Sequence, residues 1–135
     1  MRARLLTSGA AEGPVLWLDE PLSFWGAFEP RTGVILDVHH PQRGACVKDT
    51  VLVMTETRGS GSAPGAIAEA IRLGTAPAAI ILAQADINLA VGAEVAAVLY
   101  GRRCVVACVT VAELEQLRGA RRLAIAADGV VTVTP

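Results

Sequence analysis

The segment TRGSGSAPG, residues 57–65, places Arg58, Ser60 and Ser62 among Gly59, Gly61 and Gly65. Glycines let successive backbone N–H groups converge on one point, and a guanidinium can hold a carboxylate through two parallel hydrogen bonds. If a helix opens directly after such a loop, its unpaired N–H groups and partial positive charge act on the same anion. The chemistry indicated is capture of a carboxylate or phosphate. A Walker A loop would need Gly-Lys-Ser/Thr, and there is no lysine here. Gly59-x-Gly61-x-x-x-Gly65 is one residue longer than the dinucleotide fingerprint, although Asp86 stands near the position expected for its acidic residue. Neither serine has the flanking glycines of a nucleophile elbow. On spacing alone, an anion site and a Gly/Ser loop that merely caps a helix are evenly matched.

Other chemistry-bearing residues are fewer. His39 and His40 follow Asp37, but neighbouring strand positions point to opposite faces and no third ligand is evident, so surface or interface histidines are expected. Cys46, Cys104 and Cys108 form no C-x-x-C pair and read as thiols of a reducing compartment, the last two as core residues in CVVACV. Phe24, Trp25 and Phe28 concentrate the scarce aromatics in PLSFWGAFEP, where they either plug one end of the fold or anchor a partner chain.

The elements around the loop follow from pattern. VLWL (15–18), GVILDV (33–38) and TVLVM (50–54) are short apolar runs separated by Gly and Pro, and predict strands. Ala66, Ile67, Ala70 and Ile71 mark one face of a helix that begins near Ala63, accommodates Pro64 in its first turn and stops at Gly74. AAIIL (78–82) and CVVACV (104–109) predict buried strands, with a short helix at 92–100 between them. Thr110 and Glu113 make a capping box for VAELEQLRG, and RLAIAA and VVTVT form a hairpin about Asp128-Gly129. Strands first and alternating helices afterwards predict a mixed α/β sheet or open barrel with a few helices packed on it, over one domain spanning 1–135.

Composition narrows the function classes. The 135 residues carry 12 Lys+Arg and 13 Asp+Glu, a charge of -1 that gives no footprint for nucleic acid. Aromatics at 4% leave few rings for stacking on bases. Glu69, Arg72, Asp86, Glu94 and Arg102 interrupt the apolar second half too often for a membrane span, and MRARLL is too short for a signal-peptide core, so a cytoplasmic protein is expected.

Residues 19–44, DEPLSFWGAFEPRTGVILDVHHPQRG, and the stretch RGSGSAPGAIAEAIRLGTAPAAIILAQADINLAVGAEVAAVLYG together resemble the aconitase X swivel domain. That family includes the small subunits of phosphomevalonate dehydratase and of cis-3-hydroxyproline dehydratase. The resemblance implies a swivelling β/β/α domain, an open-sided β-barrel with packed helices, that closes over a larger catalytic subunit. It also implies a hydro-lyase acting only with that subunit, whose iron centre or iron–sulfur cluster is the cofactor, with none bound by this chain. By the same match Ser60 is the base, Arg58 orients the substrate, and Gly59, Gly61 and Ser62 complete the substrate loop. The family's loop usually reads Arg-Gly-Ser-Ser-Thr-Gly-Ser, so two of its hydroxyls are absent here. The leading substrate is cis-3-hydroxy-L-proline, with mevalonate 5-phosphate as the alternative. A non-catalytic interaction module and a stand-alone nucleotide-binding domain are the competing classes.

Overall fold

The computed structural model describes residues 1–24, 26–58 and 63–135. Four parallel strands form its centre: β2 (Ala11–Trp17), β5 (Val51–Met54), β6 (Ala79–Leu82) and β7 (Val105–Cys108). Between β5 and β7 the chain returns through two helices, α1 (Ala63–Leu73) and α2 (Ile87–Tyr100). The final hairpin, β8 (Arg122–Ile125) and β9 (Val131–Thr134), adds antiparallel strands beyond β2. On the other side β1 (Arg4–Leu5) pairs antiparallel with β7, giving the order β1-β7-β6-β5-β2-β8-β9. The N-terminal segment also reaches the opposite edge: Arg2 bridges Val130, and the Ala3 N–H donates to Gly129 O at 2.7 Å. The sheet is therefore curled, with its two edges clasped by one short segment.

Strict alternation along the central strands makes both faces apolar. Val51, Val53, Ala79, Ile81, Val105 and Ala107 face the inside of the curl, where they meet Leu114, Leu117, Leu123, Ile125 and Val131. Leu52, Met54, Ile80, Leu82 and Val106 face outward onto α1 and α2. A strand buried on both faces reads as a continuous apolar run, which is why VLVM, AIIL and VVAC were recognisable in the sequence. A small hairpin, β3 (Phe28–Glu29) with β4 (Val34–Ile35), covers the helix side. Phe24 and Phe28 meet edge to face at 5.4 Å in that cluster and are buried rather than exposed, whereas Trp25, read with them, lies outside the described residues. The short helix α3 (Val111–Gln116) carries the expected capping box between Thr110 and Glu113.

Three expectations are corrected. The strand read over 33–38 shrinks to Val34–Ile35, because Asp37 turns the chain: its carboxylate accepts from the His39 N–H and its carbonyl from the His40 N–H. The helix expected at 92–100 begins at Ile87, because Asp86 is its N-cap and accepts from the Leu89 N–H at 3.0 Å. Gly101 ends it in the left-handed region, φ 66°, donating its N–H to Ala97 O. His39 is exposed as anticipated, but His40 is only 4% exposed.

Candidate functional site

Because β5 and β6 are parallel, the loops that leave their carboxyl ends lie side by side, and each feeds a helix. The loop after β5 carries Thr55 to Arg58 and leads to α1 at Ala63. The loop after β6 carries Ala83 to Asp86 and leads to α2. Crevices of this kind, at strand carboxyl ends and helix amino ends, are where open α/β sheets collect ligands. Gly59, Ser60, Gly61 and Ser62 lie outside the described residues, so the geometry of the site is that of its frame.

The frame is tied together at each joint. Thr55 O accepts from the Ala83 N–H at 2.9 Å and the Gln84 N–H at 3.0 Å, locking one loop to the other. The Thr57 hydroxyl donates to the Asp86 carboxylate, whose second oxygen already caps α2. The Arg58 N–H donates to Leu22 O at 3.0 Å, and Leu22 bridges Thr57 in parallel. The Arg58 side chain is exposed, and among the described residues no carboxylate pairs with it. Glu56, Thr57, Gln84, Ala85, Asp86, Ile87 and Asn88 line a cleft of about 260 Å³ at this end. A larger cleft of about 440 Å³ lies at the opposite strand ends, beside Asp49, Ala78 and Arg103. Its two arginines are occupied, Arg102 with Arg72 O and Arg103 with Ser8. The smaller one lies where β5 and β6 hand over to the loops, and Thr57, the neighbour of Arg58 in the chain, lines it.

Sequence reasoning found no role for His40, and the structure supplies one. The Gln42 N–H donates to its Nδ1 at 3.0 Å, so the proton sits on Nε2, which donates to Glu20 O at 2.9 Å. The Gln42 side chain meanwhile donates to Asp19 at 2.6 Å. Together they fasten residues 19–20, two positions before the Leu22 that holds Arg58. Thr57 and Asp86 were also missed as a pair. Asp86 before an apolar run was a readable N-cap signal, whereas nothing in the sequence links it to a threonine 29 positions away.

Gly92 accounts for how the two helices meet. A Cβ there would stand 2.7 Å from Pro64 O and 2.8 Å from Pro64 Cα, so only glycine lets α2 approach the first turn of α1. Ala66, Ala70, Ala93 and Ala96 continue this small-residue packing. The start of α1, directly after the glycine-serine loop, is positioned by that contact.

No described group of three or more His, Cys, Asp or Glu side chains could hold a metal ion. Cys104 is buried in the helix-side cluster, and burial pushes its thiol up to about 12, the state of an inert core thiol rather than a ligand. Among the described residues no helix is long and apolar enough to cross a membrane.

Comparison with known proteins gives one consistent result. The sequence model of the aconitase X swivel domain matches residues 1–133. A cis-3-hydroxy-L-proline dehydratase of Hypocrea jecorina is 35% identical over 93% of this chain but only 21% of its own length. One of Pseudomonas aeruginosa is 41% identical over 78% of this chain and 18% of its own length. The chain thus spans about a fifth of these relatives. The phosphomevalonate dehydratase small subunit of Methanothermobacter thermautotrophicus is 38% identical over 70% of this chain and 72% of its own. Among solved structures, a chain of Thermococcus kodakaraensis aconitase X in its holo-form superposes with a TM-score of 0.81 at 26% identity, covering 99% of this chain and 97% of that one. The solution structure of a UPF0107 protein superposes with a TM-score of 0.86, also at 26% identity, covering 100% and 98%.

Proposed function

The chain belongs to the aconitase X swivel domain family, and from that premise we propose that it is the small subunit of a cytoplasmic hydro-lyase, working with a larger chain to remove water from a small 3-hydroxy carboxylate. The observation that carries this reading is the placement of Arg58, exposed and without a carboxylate partner among the described residues, where two parallel strands end and two helices begin. In the proposed reaction Arg58 holds the substrate carboxylate, and Ser60 removes the proton from the carbon next to it. That C–H pair becomes the new double bond, and the C–O bond at the adjacent carbon breaks to release hydroxide, which leaves as water once protonated. Proton removal drives charge onto the carboxylate, so the cation that binds it also favours the transition state. A serine hydroxyl is a weak base, and Arg58, the loop amides and the start of α1 are the groups that would stabilise its alkoxide. The described residues do not fit a metal centre, and the iron centre or iron–sulfur cluster implied for the family is assigned to the larger chain.

Cis-3-hydroxy-L-proline is the preferred substrate. The relatives named for it are similar over the greater part of this chain. The cleft lined by Thr57 supports the same choice: Glu56 and Asp86 also line it, no described cation does, and carboxylates suit an amino acid's ammonium better than a phosphate dianion. Mevalonate 5-phosphate is the second reading, favoured by the separate small subunits whose lengths match this chain.

The test is turnover of the complex reconstituted from this chain and its large partner. Ser60→Ala is expected to lower kcat by about 10²–10⁴-fold with little change in KM, the range for loss of a positioned base. Arg58→Lys should instead raise KM. Undiminished turnover with Ser60→Ala would leave the chain as a non-catalytic module of the same fold.

A further inference from the structure

The outer side of α2 is apolar where a surface helix is ordinarily polar. Ile87, Val91, Val95, Val98 and Leu99 are 61%, 53%, 47%, 83% and 64% exposed, and at the helical period they fall within an arc of about 120°. The opposite side, Leu89, Ala90, Gly92, Ala93 and Ala96, is buried. Glu94 at the margin of the stripe is already engaged by the Ser8 N–H at 2.9 Å and faces Arg103 at 3.9 Å. The stripe therefore carries no free charge. Its exposed apolar area, on the order of 500 Å², sits at the upper end of the largest patch on a typical monomer and supplies well over half of the roughly 800 Å² each partner gives to a standard interface.

Two observations identify the occupant. First, Ile87 and Asn88 line the same cleft as Thr57 and Asp86, so the stripe starts at the candidate site and runs about 18 Å away from it. A body that closes over that site must meet Ile87 and, following the helix, Val91 and Val95. Second, relatives 35–41% identical to this chain carry it as about a fifth of a single polypeptide, beside a much larger remainder. We propose that the α2 stripe is the seat of the large dehydratase chain, which presents to it an uncharged apolar surface that packs against Val91, Val95 and Val98. The inference rests on the two-chain reading above and adds the face through which the chains meet.

The experiment measures affinity of the full-length chain for its purified large partner by titration calorimetry, for the wild type and for Val95→Asp/Val98→Asp. Both side chains are substantially exposed in the free chain, and thermal unfolding checks that the variant stays folded. Affinity is expected to fall at least 100-fold, the usual consequence of removing two central apolar anchors. Val98→Leu should bind like the wild type. Affinity of the folded double variant within threefold of wild type would overturn the proposed seat while leaving the two-chain reading intact. A wild-type chain that does not bind the large partner at all would overturn both. A wild-type chain that is dimeric alone, split to monomers by the double substitution with large-chain affinity unchanged, would give the stripe to a second copy and overturn the proposal. Should the double variant unfold, Val91→Lys and Val98→Lys singly apply the same criterion.

Discussion

Helices α1 and α2 pack on the same face of the same sheet and on each other, yet they are built by different rules. In α1 the apolar residues Ala66, Ile67, Ala70 and Ile71 occupy one face, and Glu69 and Arg72 pair on the other. In α2 the buried side is made of small residues with Leu89 at its start, and branched apolar residues make the exposed one. Burial on folding explains the whole of α1. It explains only half of α2, because Val98 gains nothing from the fold while 83% of its surface stays in water. An amphipathic helix is complete within its own chain, whereas one that is apolar all round is complete only when something lies on its second side.

The contrast can be broken most sharply at Ala96, which is fully buried. Ala96→Asp forces an unpaired charge beneath α2 and is expected to cost about 3–5 kcal/mol in chemical denaturation. The same charge placed two positions on, at Val98, should leave the denaturation midpoint nearly where it was. Equal losses at the two positions would mean that the outer side is not free.

Gly92→Ala tests the contact between the helices. The added methyl cannot coexist with Pro64 at its present distance, and an overpacking cost of about 1–3 kcal/mol is expected. Because Pro64 lies in the first turn of α1, turnover of the reconstituted complex should fall as well, beyond what lost stability explains at saturating partner.

Cys104 lies beneath both helices, and its folded pKa is raised by burial to about 12. Below the ordinary thiol range near pH 8.5 both folded and unfolded chains hold the proton, and the group contributes no pH dependence. Above it the unfolded chain loses the proton first, so stability falls by up to about 1.4 kcal/mol per pH unit until the folded pKa is reached. Denaturation between pH 8 and 11 should show this slope, and Cys104→Ala should flatten it by the same amount. The smallest effect belongs to the polar side of α1. Glu69→Ala removes the partner that holds Arg72, and with it the interaction that keeps the Glu69 carboxyl below its usual range, yet both side chains are so exposed that no resolvable change in the melting midpoint is expected.

Local signals read correctly wherever one short segment contained the whole cause. Thr110 and Glu113 were visible as a capping box because both halves lie within four residues. The Asp128-Gly129 hairpin and the α1 face were readable for the same reason. The start of α2 was misplaced by five residues, and the value of Gly92 inside that helix appears only when Pro64 stands against it. His40 likewise reads as a surface residue until Glu20 and Gln42 close around its ring. Of the candidate site's frame, the helix that follows the loop was legible. The partnership of Thr57 with Asp86 was not.

The order of residues by itself determined the buried central strands, the Asp128-Gly129 turn, the Thr110 cap and the family, since each depends on neighbours along the chain or on motifs quoted from it. Only the tertiary structure decided which faces are covered. Curling of the sheet brings Arg2 to Val130, parallel pairing of β5 with β6 sets two loops side by side, and the buried side of α2 is chosen by its contact with α1. These are contacts between residues far apart in sequence, and their free energies depend on distances that no local pattern encodes.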